Sequence, residues 1–109
     1  MPSRPLLDLI GAKWTILVVG CLTRGARRFS ELAAELEGVT PKALTQTLRQ
    51  LERNGLVLRT VHPAIPPHVE YELTSLGHTL REPVEALLDW TDAHIEECSA
   101  AQRVYDADA

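Results

Sequence analysis

The segment TPKALTQTLRQLERNGLV, Thr40 to Val57, carries Lys42, Thr45, Gln46, Arg49 and Arg53 at offsets of 0, 3, 4, 7 and 11. With 3.6 residues per turn, that spacing gathers all five side chains on one side of a helix. Leu44, Leu48 and Leu51 follow the same period on the opposite side and form an apolar stripe. The polar side consists of groups with defined hydrogen-bonding geometry. Arg49 and Lys42 can donate to guanine O6 and N7, and Gln46 can pair with adenine N6 and N7. Thr45 can donate to a phosphate or touch a thymine methyl. Such chemistry recognises a surface and makes no covalent bond.

The elements that must hold this face are legible nearby. Thr40-Pro41 is a strong helix start: a threonine oxygen accepts an orphan backbone N–H, and proline at the first helical position loses no hydrogen bond. Asn54-Gly55 supplies residue types that tolerate a left-handed stop. Upstream, LLDLIG predicts a short first helix, and Gly11 punctuates the start of AKWTILVVGCLTRG. In that second helix Trp14, Leu17, Val18, Cys21 and Leu22 have core spacing. FSELAAEL predicts a third helix capped by Ser30, with Phe29, Leu32, Ala33 and Leu36 facing inward, before Gly38 turns the chain. Downstream, LVLRTV (Leu56 to Val61) and VEYELT (Val69 to Thr74) read as an antiparallel hairpin. Three prolines in HPAIPPH should keep its tip extended. Val69, Tyr71 and Leu73 should share one strand face and Glu70 and Glu72 the other, with Arg59 on the apolar side if Val61 faces Val69. Thr74 can cap a long last helix with a stripe of Leu76, Leu80, Val84, Leu87, Leu88, Thr91, Ile95 and Cys98. Pro83 should kink or restart it near Glu82, and AQRVYDADA should fray.

The expected fold class is therefore mainly α with a small β-hairpin, in the order of a winged helix-turn-helix domain with a long C-terminal helix. In that architecture the second helix of the helix-turn-helix enters the DNA major groove. At 109 residues the chain is the size of one domain spanning 1-109, with a DNA-binding core at about 12-74 and dimerisation helices at about 5-11 and 75-104. Charge is unevenly distributed. Met1 to Pro63 holds nine Lys plus Arg against five Asp plus Glu, a balance of +4, whereas Ala64 to Ala109 balances to -8. A basic half can approach phosphates while an acidic half stays in solvent. Lys13, Arg27 and Arg28 are then the expected phosphate contacts, which position a protein without reading sequence.

Three stretches carry a family resemblance: LDLIGAKWTILVVGCL, RRFSELAAELEGVTPKALTQTLRQLERNGLVLRTV and HPAIPPHVEYELTSLGHTLREPVEALLDW. Together they resemble the HxlR-type bacterial transcription regulators over about residues 6 to 90. Most telling are GAKW, RRFSEL, the proline-rich tip followed by VEYELT, and the LG that opens the last helix. The resemblance implies a dimeric winged-helix repressor or activator acting on double-stranded DNA. Its first and last helices would pair two copies, Thr40 to Arg53 would be the recognition helix, and His62 to His68 the wing. Two departures stand out. The cysteine of the Cys-Pro pair with which many members sense oxidants, quinones or aldehydes would fall on Met1-Pro2, and is missing. The family's usual wing arginine is replaced by His68, an imidazole that donates a full charge only when protonated.

A two-fold dimer would bury Leu6, Leu7 and Ile10 of the first helix, and Leu80, Val84, Leu87, Leu88, Thr91 and Ile95 of the last. It would also space two recognition helices by about one turn of DNA, roughly 34 Å. Competing chemistries are weaker. Cys21 reads as a small core residue. Glu96 and Glu97 oppose thiolate formation at Cys98, and two distant cysteines make no disulfide framework. His94 and Cys98 supply two of the four ligands of a tetrahedral zinc site, and His62, His68 and His78 show no metal-ligand spacing. No phosphate loop, H-E-x-x-H or G-x-S-x-G occurs, so no enzyme and no cofactor is expected. No apolar run reaches the roughly 18 residues of a membrane span, and MPSRPLLDLI lacks the features of a signal peptide, so a soluble cytoplasmic protein is expected. An unknown small-molecule effector could sit near Trp14, Trp90 and Tyr105 at the dimer seam. The rival from another class is a winged-helix protein-interaction module without DNA binding, which the overall acidity favours.

Overall fold

Val18, Val19, Leu22, Leu32, Leu44, Leu48 and Leu51 are withdrawn almost completely from solvent, and the core helices are arranged around them. They belong to the computed structural model, which describes residues 3–108. The element order is α1 (Arg4–Ile10), α2 (Lys13–Leu22), β1 (Arg27–Arg28), α3 (Phe29–Glu35), α4 (Pro41–Arg53), β2 (Val57–His62), β3 (His68–Leu73), α5 (Ser75–His78) and α6 (Arg81–Asp108). This is a winged helix-turn-helix architecture with a long C-terminal helix. No single helix among the described residues is long and apolar enough to cross a membrane.

The leucine stripe of α4 does what its period requires: Leu44, Leu48 and Leu51 face α2 and the strands, at 2% exposure or less. Thr40 accepts the backbone N–H of Ala43 at 3.1 Å, with Pro41 at the first helical position. At the other end Asn54 donates through Nδ2 to the Gln50 carbonyl at 2.8 Å, and Gly55 takes a left-handed φ of 75°. In α2, Thr15 and Val19 join Val18, Cys21 and Leu22 inside, while Trp14 and Leu17 are only half-buried.

The sheet has three strands in the order β1-β3-β2, where the sequence suggested two. Two residues, Arg27 and Arg28, pair with Tyr71 and Glu70, too short a strand to leave an alternating signature. β2 pairs with β3 in the register that places Val61 opposite Val69, Arg59 opposite Tyr71 and Val57 opposite Leu73, so Arg59 does lie on the apolar side. The hairpin reaches one residue further at each strand, to His62 and His68. Its tip is bent rather than extended.

Other expectations are corrected. Arg28, not Ser30, occupies the cap position of α3, where its N–H donates to the Glu31 carboxylate at 2.8 Å. Ala33 faces solvent, since a seven-residue helix turns only Leu32 and half of Phe29 toward the core. The last helix restarts between His78 and Arg81, so Pro83 sits in the first turn of α6, where its missing N–H has no helical acceptor to lose. The tail does not fray: α6 runs to Asp108. A side chain at Gly20 of α2 would touch Leu88 at 3.0 Å, so that glycine allows α6 its close approach.

Candidate nucleic-acid interface

Lys42, Gln46, Arg49 and Arg53 are exposed along one side of α4, and Thr45 is half-buried beside them. Among the described residues none of Lys42, Arg49 and Arg53 forms an ion pair. Thr45 and Arg49 line a depression of about 380 Å³ together with Phe29, Glu52, Arg59 and Tyr71. Arg59 comes from β2 and was not expected there. The signal was present in its apolar-side register position, because that side of the hairpin faces α4.

The other basic residues are placed differently from one another. Arg28 is exposed and borders, with His68 and Pro66, a second recess of about 430 Å³ between α3 and the hairpin tip. Arg27 is drawn inward: its guanidinium donates to Glu35 at 3.3 Å and to the carbonyls of Ala26 at 3.0 Å and Gly25 at 3.3 Å. The Lys13 ammonium lies 4.5 Å from the centre of the Trp14 ring, a cation–π contact on an exposed side chain. His62 and His68 stack at the base of the tip, with ring centres 4.7 Å apart. Thr40 uses its hydroxyl oxygen as the acceptor that caps α4.

The expected pairing residues fall into two groups. Leu6, Leu7, Leu87, Thr91 and Ile95 are exposed, and so are Trp90, Val104 and Tyr105, which the sequence reading left out of the stripe. Val84, in contrast, is 4% exposed and belongs to the core of the chain, with Leu80 and Leu88 packed half-buried against that core and Ile10 half-buried in α1. α6 leans on α2 at its first turns, so its earliest apolar positions face inward and the later ones do not.

Cys21 is buried and Cys98 exposed. Burial first, then a hydrogen bond to the Glu35 carboxylate and after it the Glu35 charge, push the Cys21 thiol above its ordinary pKa. The Cys21 thiol and then Arg27 hold the Glu35 carboxyl below its own. Met1-Pro2, where a sensing cysteine would fall, lies outside the described residues. A recess of about 490 Å³ beside α2 is lined by Cys21, Arg24, Glu35 and Leu88, not by Trp14, Trp90 and Tyr105. His94 stacks on Trp90 and holds its carbonyl through Nδ1 at 2.9 Å.

A three-stranded wing behind a helix with a free cationic and amide face defines a helix-turn-helix regulator. The chain matches the HxlR-like helix-turn-helix family over residues 9–99 and belongs to it. It is 41% identical over 101 residues to the uncharacterised HTH-type transcriptional regulator YtfH of Escherichia coli, covering 93% of this chain and 80% of the relative. The solved structure of a candidate transcriptional regulator YtfH from Salmonella typhimurium superposes with a TM-score of 0.87 at 38% identity, over 94% of this chain and 91% of that one. The redox regulator HypR in its oxidised form superposes at 0.79 with 36% identity, over 85% and 96%. The relatives are named as transcriptional regulators rather than enzymes, which is the functional class of this chain.

Proposed function

We propose that the chain is a homodimeric, sequence-specific repressor that binds a pseudo-palindromic site in double-stranded DNA. The observation that carries this reading is the division of α4: three leucines buried on one side, and on the other Lys42, Gln46, Arg49 and Arg53, exposed and without an ion pair among the described residues. A helix that needed only solubility could use any mixture of charges there. Here Glu52 borders that side only at the edge beside Thr45, and guanidinium, ammonium and amide groups are the donors that base edges and phosphates accept. In this reading Arg49, Gln46 and Lys42 reach bases, Thr45, Arg53 and Arg59 approach the backbone beside them, and Arg28 contacts phosphate next to the wing. Arg27 and Lys13 contribute less, because Glu35 and Trp14 already engage them. His62 and His68 stand at the base of the wing.

The dimer rests on the exposed apolar row of α6. Leu87, Trp90, Ile95, Val104 and Tyr105 are 46–76% exposed, with Leu7 of α1 at 65%. A long helix projecting alone into water gains little from its own hydrogen bonds, and an exposed apolar row of this length marks an interface. A second copy related by a two-fold axis would cover it. A redox-responsive reading, suggested by HypR, finds no support at Cys21, whose burial opposes thiolate formation.

The test is selection and sequencing of a duplex pool with purified protein at two salt concentrations, with Arg49→Ala alongside. The expected result is a two-fold symmetric motif, weakened by salt and degraded by the substitution. Absence of enrichment in every condition would leave the polar side of α4 as a surface for a protein partner.

A further inference from the structure

The hairpin register creates a cluster that no spacing along the chain announces. His62 and His68 are direct cross-strand partners, and Glu70, two residues beyond His68, falls on the same face. Their side chains converge. His62 Nε2 lies 2.9 Å from Glu70 Oε2, and His68 Nε2 lies 3.9 Å from the same oxygen. One ligand atom from each residue falls within 4.8 Å of the other two, and all three side chains are half-buried.

The geometry points to a binding site for a zinc-class divalent cation on the wing, with His62, His68 and Glu70 as its protein ligands. Two imidazoles and a carboxylate suit borderline transition ions such as zinc, cobalt or nickel better than magnesium or calcium, which prefer sets made of oxygen alone. Three protein ligands and an open fourth position are a standard zinc arrangement. Bond lengths of about 2.0–2.2 Å set tetrahedral ligand atoms roughly 3.3 Å apart. The His62–Glu70 separation must therefore open slightly and that of His68 close by about half an ångström. The two rings, now inclined by only 19°, must tilt so that both nitrogens meet one ion. Side chains at 21–40% exposure have room for such rotations. Water can take the fourth position, beside the depression that His62 and Glu70 share with Thr60 and Glu72. Arg28 stands opposite Glu70 in the register, yet among the described residues only the two imidazoles pair with that carboxylate.

The site does not rest on the DNA-binding reading and is tested without DNA. Zinc alone is titrated into the metal-stripped full chain by calorimetry, and cobalt(II) serves as a spectroscopic probe of coordination. The expected result is saturation at one ion per chain, with a tetrahedral cobalt spectrum. His68→Gln and Glu70→Gln should each weaken binding by more than about tenfold, the loss that follows removal of even an outer ligand partner. His94→Ala with Cys98→Ser should leave binding unchanged, and circular dichroism should show every variant folded. Absence of saturable binding would overturn the proposal. So would binding that survives His68→Gln but is lost in the His94→Ala, Cys98→Ser protein, which would move the ion to α6.

Discussion

Arg49 and Arg59 reach the same depression from α4 and from β2, so two guanidiniums border one cleft together with Thr45 and Glu52. Each can be tested alone. Replacing Arg49 by Ala should cost about 1 to 3 kcal/mol of specific binding and relax one base position, whereas Arg28→Ala should weaken all sequences alike and lower the salt slope by about one. Binding titrations over a salt series with matched and mismatched duplexes separate the two outcomes. Arg27→Ala should have a smaller effect than Arg28→Ala, because Glu35 already holds the Arg27 guanidinium. At the thiols the order is set by burial. Iodoacetamide added to the native protein at neutral pH should label exposed Cys98 well before buried Cys21, whose raised pKa keeps it protonated. Peptide mass mapping over time reads that order, and equal rates would mean that α2 opens readily.

At the scale of elements, one junction holds the recognition helix, the hairpin and the last helices in register. Thr74 donates through Oγ1 to the Gly55 carbonyl at 2.6 Å, accepts the Gly77 N–H at 3.0 Å, and donates its own N–H to the Leu56 carbonyl at 3.0 Å. Thr74→Val keeps the shape and removes the cap and the tie, so thermal melting should show a loss of about 1 to 2 kcal/mol. Gly77→Ala should be worse, since its methyl would be driven into the Leu56 carbonyl oxygen and the backbone must move. Helix periods, the Thr40-Pro41 start and the hairpin alternation were all legible in the sequence, because each is local and repeats. What escaped it depends on partners distant in the chain. β1 exists only because Arg27 and Arg28 meet β3, and the histidine and carboxylate cluster only because the register sets His62 against His68. The persistence of α6 through its last residues was, by contrast, within reach of local propensity, since no proline or glycine interrupts it after Pro83.

The whole molecule is drawn out in one direction. Its radius of gyration is 16.6 Å, against roughly 13 Å for a compact domain of this length. The excess lies in α6, whose 28 residues span about 42 Å. Ile95→Glu should therefore leave the core folded by circular dichroism yet shift sedimentation toward the single chain, and with it abolish binding to a symmetric site while half-site contacts persist weakly. An unchanged sedimentation coefficient would mean that the row on α6 pairs with nothing. The Thr74 junction has a further consequence at this scale. It clamps the end of α4, both strands and the start of α5 into one body, and only the break at Thr79–Leu80 separates that body from α6. The early turns of α6 are keyed to that body across the break by Val84 in the core and by Leu88 against Gly20 of α2. In the DNA-binding dimer proposed above, the α6 arm would therefore set the pitch of the reading head it carries: substitutions on α4 would rewrite the letters recognised, and substitutions at Leu80, Val84 or Leu88 would retune the gap between two heads.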